Sequence, residues 1–177
     1  HEGPRPYDFL KRVALGQYAT ELRKNSVFWL GNYHDDKSLS FLKEINRKVT
    51  ETTLRKQVVF ALHLNGQKEA ILELIKIAKT DGSKTVRKNA VFWLGQKASE
   101  ESVNALKGIV ESDKDQEVKN SAVFAISQLP REKSVPLLID LVRKNKSPSV
   151  RKKAIFWLGQ IDDEKVLKFF EEILLKK

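Results

Sequence analysis

Apolar positions along this chain step at helical intervals, and the helical stretches themselves return at a fixed distance. The stretch Val86-Arg87-Lys88-Asn89-Ala90-Val91-Phe92-Trp93-Leu94-Gly95 has counterparts opening at Leu22, Leu54, Val118 and Val150, so successive copies are 32 residues apart. A second series runs through Tyr7, Leu39, Ile71, Val103, Val135 and Leu167 at the same period. Leu10, Leu42, Leu74, Leu106, Leu138 and Phe170 follow it at three residues' distance, and Val13, Ile45, Ile77, Ile109, Leu141 and Ile173 three further on. Such steps place one apolar stripe on a helix. The pattern predicts A helices over 20–31, 52–64, 84–96, 116–128 and 148–160. It predicts B helices over 36–48, 68–79, 100–112, 133–144 and 163–175, with a lone B-type helix over 6–16.

A fixed period in this range belongs to stacked repeats, whose core runs between neighbours. The expected fold is all-α, a right-handed α-α superhelix forming one solenoid over 1–177. A half repeat, 6–21, precedes five helix pairs at 22–53, 54–85, 86–117, 118–149 and 150–177. Opening on a lone B-type helix predicts that the natural chain extends further N-terminally. Ser83, Asp115 and Ser147 stand where helix A needs an N-cap, and Asp35, Ser99 and Asp163 where helix B does. Pro148 fits the first helical position. Gly31, Gly95 and Gly159 are expected to close helix A in left-handed conformation. Trp29, Trp93 and Trp157 alternate with Ala61 and Ala125, which predicts large-against-small packing in the core.

On a helical wheel at about 100° per residue, Val86, Ala90, Val91, Trp93 and Leu94 share one arc, the predicted core. The opposite arc of an exposed helix is polar, yet here it carries an aromatic in every copy: Phe28, Phe60, Phe92, Phe124 and Phe156. Beside it run a cation row (Lys24, Lys56, Lys88, Lys152) and two amide rows (Asn25, Gln57, Asn89; Gln96, Gln128, Gln160). Aromatic positions rimmed by polar groups mark an interaction surface, and these fifteen residues are the candidate partner-binding site. Packing between successive A helices is the competing explanation for the Phe row. The row Arg23, Arg55, Arg87, Lys119 and Arg151 reads as ion pairs between repeats.

Composition sharpens this picture. The net charge is +10 over 177 residues, and every 32-residue period is positive except 86–117, so the charge is built into the repeats. That favours acidic partners. No apolar run approaches the length of a membrane span. The chain has no cysteine, hence no disulfide and no thiolate chemistry. Its histidines are His1, His34 and His63. His34-Asp35-Asp36 is a poor metal site, because adjacent turn residues rarely converge on one ion. No catalytic residue, metal ligand or cofactor site is assigned, and the expectation is that the chain is not an enzyme.

The motif Val-Arg-x-x-Ala-x-x-x-Leu-Gly, followed by a cap and an aliphatic B helix, resembles HEAT repeats, in particular the short bacterial, phycobilisome-lyase-like form. The resemblance runs from about Tyr7 to Leu174; His63 and Ser127 depart from it by replacing the Gly. It implies a scaffold whose A helices line the inner, binding face, with the repeated Arg pairing to a neighbouring repeat. The expected function is binding a protein or peptide, acidic in character, along the A-helix groove. The alternative is nucleic acid, with Lys on phosphates and Phe under bases; a pigment-protein lyase role rests on the family's naming. A soluble monomer in the cytoplasm or periplasm is expected.

Overall fold

A computed structural model describes residues 6–175; positions 1–5 and the last two of the fifth repeat, 176–177, lie outside the described residues. Eleven helices occupy the described residues, with no strand among them. The A-type helices are α2 (Thr20–Asn32), α4 (Thr52–Asn65), α6 (Lys84–Gly95), α8 (Gln116–Ser127) and α10 (Pro148–Leu158). The B-type helices are α1 (Tyr7–Leu15), α3 (Asp36–Lys48), α5 (Lys68–Thr80), α7 (Glu100–Ser112), α9 (Arg131–Lys144) and α11 (Glu164–Leu175). The expected all-α architecture is therefore the observed one. Helix α9 starts earlier than the pattern predicts because the Pro130 carbonyl accepts from the N–H groups of Lys133 and Ser134, both at 2.9 Å.

The chain divides into two compact units, 1–93 and 94–177. In the first, α2 packs on α4 and α1 on α3, while α4 also meets α3 and α5. In the second, α8 packs on α10 and α9 on α11, while α7 meets α8 and α10 meets α9. Each unit is thus two layers, A-type on A-type and B-type on B-type. Between the layers lie Val27, Leu30, Leu42, Ile45, Leu54, Val58, Leu62 and Leu74 in the first unit. Leu106, Ile109, Val118, Ile126, Leu138, Val150 and Leu158 do the same in the second. Burying one such side chain stabilises the fold by about 1.5–3 kcal/mol. Leu22 departs from its buried counterparts and is 49% exposed.

Most caps lie where the sequence puts them. Asp35 Oδ1 accepts from Ser38 N–H at 2.8 Å, and Ser99 Oγ from Ser102 N–H at 3.2 Å. Ser83 Oγ and Ser147 Oγ accept from Val86 N–H and Val150 N–H, both at 3.5 Å. Asp115 is an exception: its side chain does not cap α8, and Asp113 Oδ1 accepts the Asp115 N–H instead. That bond belongs to a turn the sequence reading missed. Asp81 Oδ1 and Asn145 Oδ1 accept in the same way from Ser83 N–H and Ser147 N–H. Three side chains 32 residues apart thereby fold the last three B–A corners, as Asp and Asn do in turns.

The Arg row ties these corners together. Arg23 pairs with Glu51 at 2.7 Å, and Arg55 pairs with Asp81. Arg87 Nη1 donates to the Asp81 carbonyl and Arg151 Nη1 to the Asn145 carbonyl, each at 2.8 Å. Bonding to Arg23 holds the Glu51 carboxyl below its usual range.

Two expectations are corrected. Among the described residues only Gly66 has a positive φ, 68°, and it closes α4. Gly31 lies within α2 and Gly159 is right-handed at φ −63°. Gly31 and Gly95 serve a close approach instead: a Cβ on Gly31 would come 2.8 Å from Ala61, and one on Gly95 would come 2.9 Å from Ala125, whereas one on Gly159 would meet nothing nearer than 3.5 Å. The Trp row, in turn, is not core. Trp29 is 53% exposed, and Trp93 and Trp157 are half-buried. Ala61 and Ala125 are small because each receives the preceding glycine.

Candidate functional site

The outward arc of the A-type helices carries the predicted Phe row, unevenly exposed. Phe28, Phe60 and Phe124 are half-buried, whereas Phe92 is 41% and Phe156 51% exposed. In the first unit the rings form a connected array. Phe28 stacks on Phe60 with centroids 6.3 Å apart, and Phe60 lies 4.8 Å from Trp93. Trp93 also meets His63 at 4.5 Å and Phe92 edge-on at 5.0 Å. Phe60 is therefore flanked by an aromatic from the preceding A-type helix and another from the following one. In the second unit Trp157 meets Phe124 at 5.0 Å and Phe156 at 4.9 Å, and Lys153 Nζ lies 5.5 Å over the Phe156 ring. Phe28, Phe60 and Phe124 thus pack against rings of neighbouring A-type helices, as the competing explanation expects, and all five rings keep part of their surface exposed.

Five predicted residues converge on one place. Lys24, Lys56, Gln57, Phe60 and Asn89 line a recess of about 290 Å³ in the first unit, with Thr53 and Trp93. No carboxylate lines it. Lys24 is paired with Glu21 on its own helix at 3.0 Å. Lys56 is exposed and has no ion-pair partner among the described residues. Asn89 Oδ1 is closed off from solvent without a hydrogen-bond partner among the described residues. A buried acceptor left without a donor costs about 1–3 kcal/mol of stability.

The other candidates are dispersed. Asn25, Gln96, Gln128, Gln160 and Lys152 are exposed and line no part of this recess, and Lys88 is half-buried outside it. Gln128 donates to Ser127 Oγ at 3.2 Å. Asn120, at the Lys-row position of α8, is bound into a polar chain with Gln116 and Ser149. Sequence reasoning missed Thr53 and placed Trp93 in the core. A signal existed: Trp93 stands 30 residues after His63, where Ala61 and Ala125 stand 30 after a glycine. His34 and Asp35 serve the fold, His34 Nδ1 lying 2.8 Å from the Asn65 carbonyl oxygen and Asp35 capping α3.

The family description "HEAT repeats" matches residues 47–127, 71–146 and 109–177, overlapping segments that cover more than half of the chain. The chain is a HEAT-repeat protein. That membership supports a protein-interaction role in general. No curated protein sequence matches this HEAT-repeat chain. Among solved structures it is similar to human deoxyhypusine hydroxylase in complex with glycerol, with a TM-score of 0.60 at 18% identity. The match covers 94% of this chain and 66% of the hydroxylase, so the chain spans just under two thirds of that protein's length. The CpcE–CpcF complex of phycocyanin lyase from Nostoc is also similar, with a TM-score of 0.49, 17% identity, and coverage of 90% and 78%. The first likeness corrects one expectation. The hydroxylase is an enzyme on this fold, so HEAT repeats without an obvious catalytic motif do not make a chain a non-enzyme. No helix among the described residues is long and apolar enough to cross a membrane.

Proposed function

We propose that this chain binds a partner protein through an extended, acidic segment laid along the outward face of its A-type helices. The observation that carries this is the recess at Lys24, Lys56, Gln57, Phe60, Asn89 and Trp93, whose lining holds two lysines and no acid. The Gln57 side-chain amide there can both donate to and accept from a peptide backbone. The phosphodiester backbone of nucleic acid offers acceptors alone. Phe60 also has an aromatic neighbour on either side, which leaves its edge rather than its face for a ligand. Ring edges carry positive charge density and suit oxygens better than stacked bases. The lysines favour acidic segments and hasten encounter with them.

The test is selection of random dodecapeptides on the whole chain, followed by a salt titration of the peptides recovered and of a single-stranded DNA 15-mer. Acidic peptides should be enriched and bind with a shallow salt slope. Tighter binding of the DNA with a steep slope, the sign of released counterions, would assign the face to nucleic acid instead.

A further inference from the structure

We infer that the corner between α9 and α10, in the second unit, is a binding site for a small organic carboxylate. The Lys119 ammonium and the Asn145 side-chain N–H share the ligand's two oxygens. The site uses none of the Phe, Lys or amide rows of the outward face.

The corner after α5, in the first unit, is closed by an ion pair. Asp81 Oδ1 accepts from Ser83 N–H at 2.8 Å, and the other oxygen, Oδ2, takes the Arg55 guanidinium. Two periods later these positions hold Lys119 and Asn145. Asn145 repeats the turn, its Oδ1 accepting from Ser147 N–H at 2.9 Å. Its second branch is therefore Nδ2, a donor where Asp81 presents an acceptor. The corner between them, after α7, keeps an aspartate, Asp113. So the α9–α10 corner alone of the three sets a cation against a donor, and the carboxylate that would join them is missing from the chain.

Space is open at that place. Lys119 and Asn145 both line a cavity of about 640 Å³, a volume within the range of small-molecule sites. Lys119 is half-buried and donates to the Glu111 carbonyl at 3.1 Å; no carboxylate among the described residues pairs with it. Asn145 Nδ2 has no acceptor among the described residues and is not closed off from solvent, so a ligand can reach it.

The charge of the lining selects the ligand. Lys119, Lys144 and Lys146 face two acids, Glu111 and Asp140, which leaves one positive charge over. Lys144 already holds Asp140 at 2.6 Å. A surplus of one suits a single carboxylate better than a dianion. A carboxylate also presents two acceptor oxygens in one plane, one for the ammonium and one for the amide N–H.

The experiment uses the whole chain with sodium acetate as the probe, inorganic phosphate as the comparison, and chloride to hold ionic strength constant. The Ser147 backbone N–H, bonded to Asn145, is followed by ¹H–¹⁵N NMR. Acetate should shift this signal saturably, with a Kd of about 10 mM or below, and phosphate should bind more weakly. Lys119→Gln should weaken acetate about tenfold, the loss expected with a charge-assisted hydrogen bond. Asn145→Asp supplies the missing carboxylate from within the chain. It should abolish acetate binding and raise the melting temperature, whereas Lys119→Gln combined with Asn145→Asp should not raise it. Melting curves establish that each variant is folded. Should acetate leave the Ser147 signal of wild type unmoved, or bind Asn145→Asp as tightly as wild type, the site is wrong. Should phosphate bind more tightly than acetate, the corner reads charge alone and the assignment to a carboxylate falls.

Discussion

His63 and Trp93 lie ring against ring, their centroids 4.5 Å apart, at the register where Gly31 meets Ala61 one period earlier. The same two-period alternation appears in the second unit, where Gly95 meets Ala125 and the next register holds Ser127 and Trp157. Where an A-type helix carries glycine, its successor carries alanine and the two backbones approach. Where glycine is absent, its successor carries tryptophan, and in the first unit that ring forms the recess floor.

Glycine at the close approaches should be intolerant of a methyl group. Gly31→Ala would drive Cβ to 2.8 Å from the Ala61 backbone, which cannot yield as a side-chain tip would. We expect a loss of about 1–3 kcal/mol, the usual range for overpacking. Gly108 lies in α7 with nothing within 4 Å of a Cβ, so Gly108→Ala should stabilise by about 0.5–1 kcal/mol through helix propensity. Urea midpoints of the two variants should move in opposite directions.

Trp93 and Trp29 occupy the same sequence register and should differ in energetic weight. Trp93 is half-buried against Phe60, His63 and Phe92, while Trp29 is 53% exposed. Trp93→Ala should cost about 2–3 kcal/mol, below the full-burial range, and Trp29→Ala less than about 1 kcal/mol. Equal losses in chemical denaturation would refute the distinction.

Asp81 joins several parts of one corner. Its carboxylate takes the Arg55 guanidinium and the Ser83 N–H, and its carbonyl takes Arg87. The carboxylate is nearly closed off, with 3% of the side chain exposed. Asp81→Ala leaves Arg55 facing its own desolvated surroundings and should cost about 3 kcal/mol. Asp113→Ala, which removes the equivalent turn acceptor, provides the comparison by thermal melts.

Glu44 gives the fold an acid-sensitive contact. Hydrogen bonds from Lys48 at 2.7 Å and Lys11 at 2.9 Å lower its pKa from 4.5 to about 2. A carboxyl depressed on folding contributes stability that is fully present above its unfolded value and is lost as the carboxylate takes up a proton. The contribution should therefore hold above pH 4.5 and disappear as pH falls towards 2. Carbon-detected NMR of the Glu44 carboxyl should show a midpoint near the lower value, and Glu44→Gln should flatten this part of the stability–pH curve.

Much of the site was readable because a helix maps sequence spacing directly onto direction. Lys56, Gln57 and Phe60 on one helix and Asn89 on another were placed on the same outward arc by wheel position alone. Trp93 was misplaced by the same device. It lies near the edge of the apolar arc, and its exposure depends on what the preceding A-type helix carries 30 residues earlier. A single-helix wheel contains no such neighbour.

The sequence by itself determined the helices, their pairing and the family. A 32-residue period of apolar stripes and caps is a local property, repeated until it is unambiguous. Tertiary structure decided which glycines are contacts rather than caps, which lysine is already paired, and which members of fifteen similar residues share one recess. Those outcomes turn on separations of a few ångströms between helices a full period apart. Van der Waals contact and hydrogen bonding fall away over that distance, so residues alike in sequence spacing come to differ in what they touch.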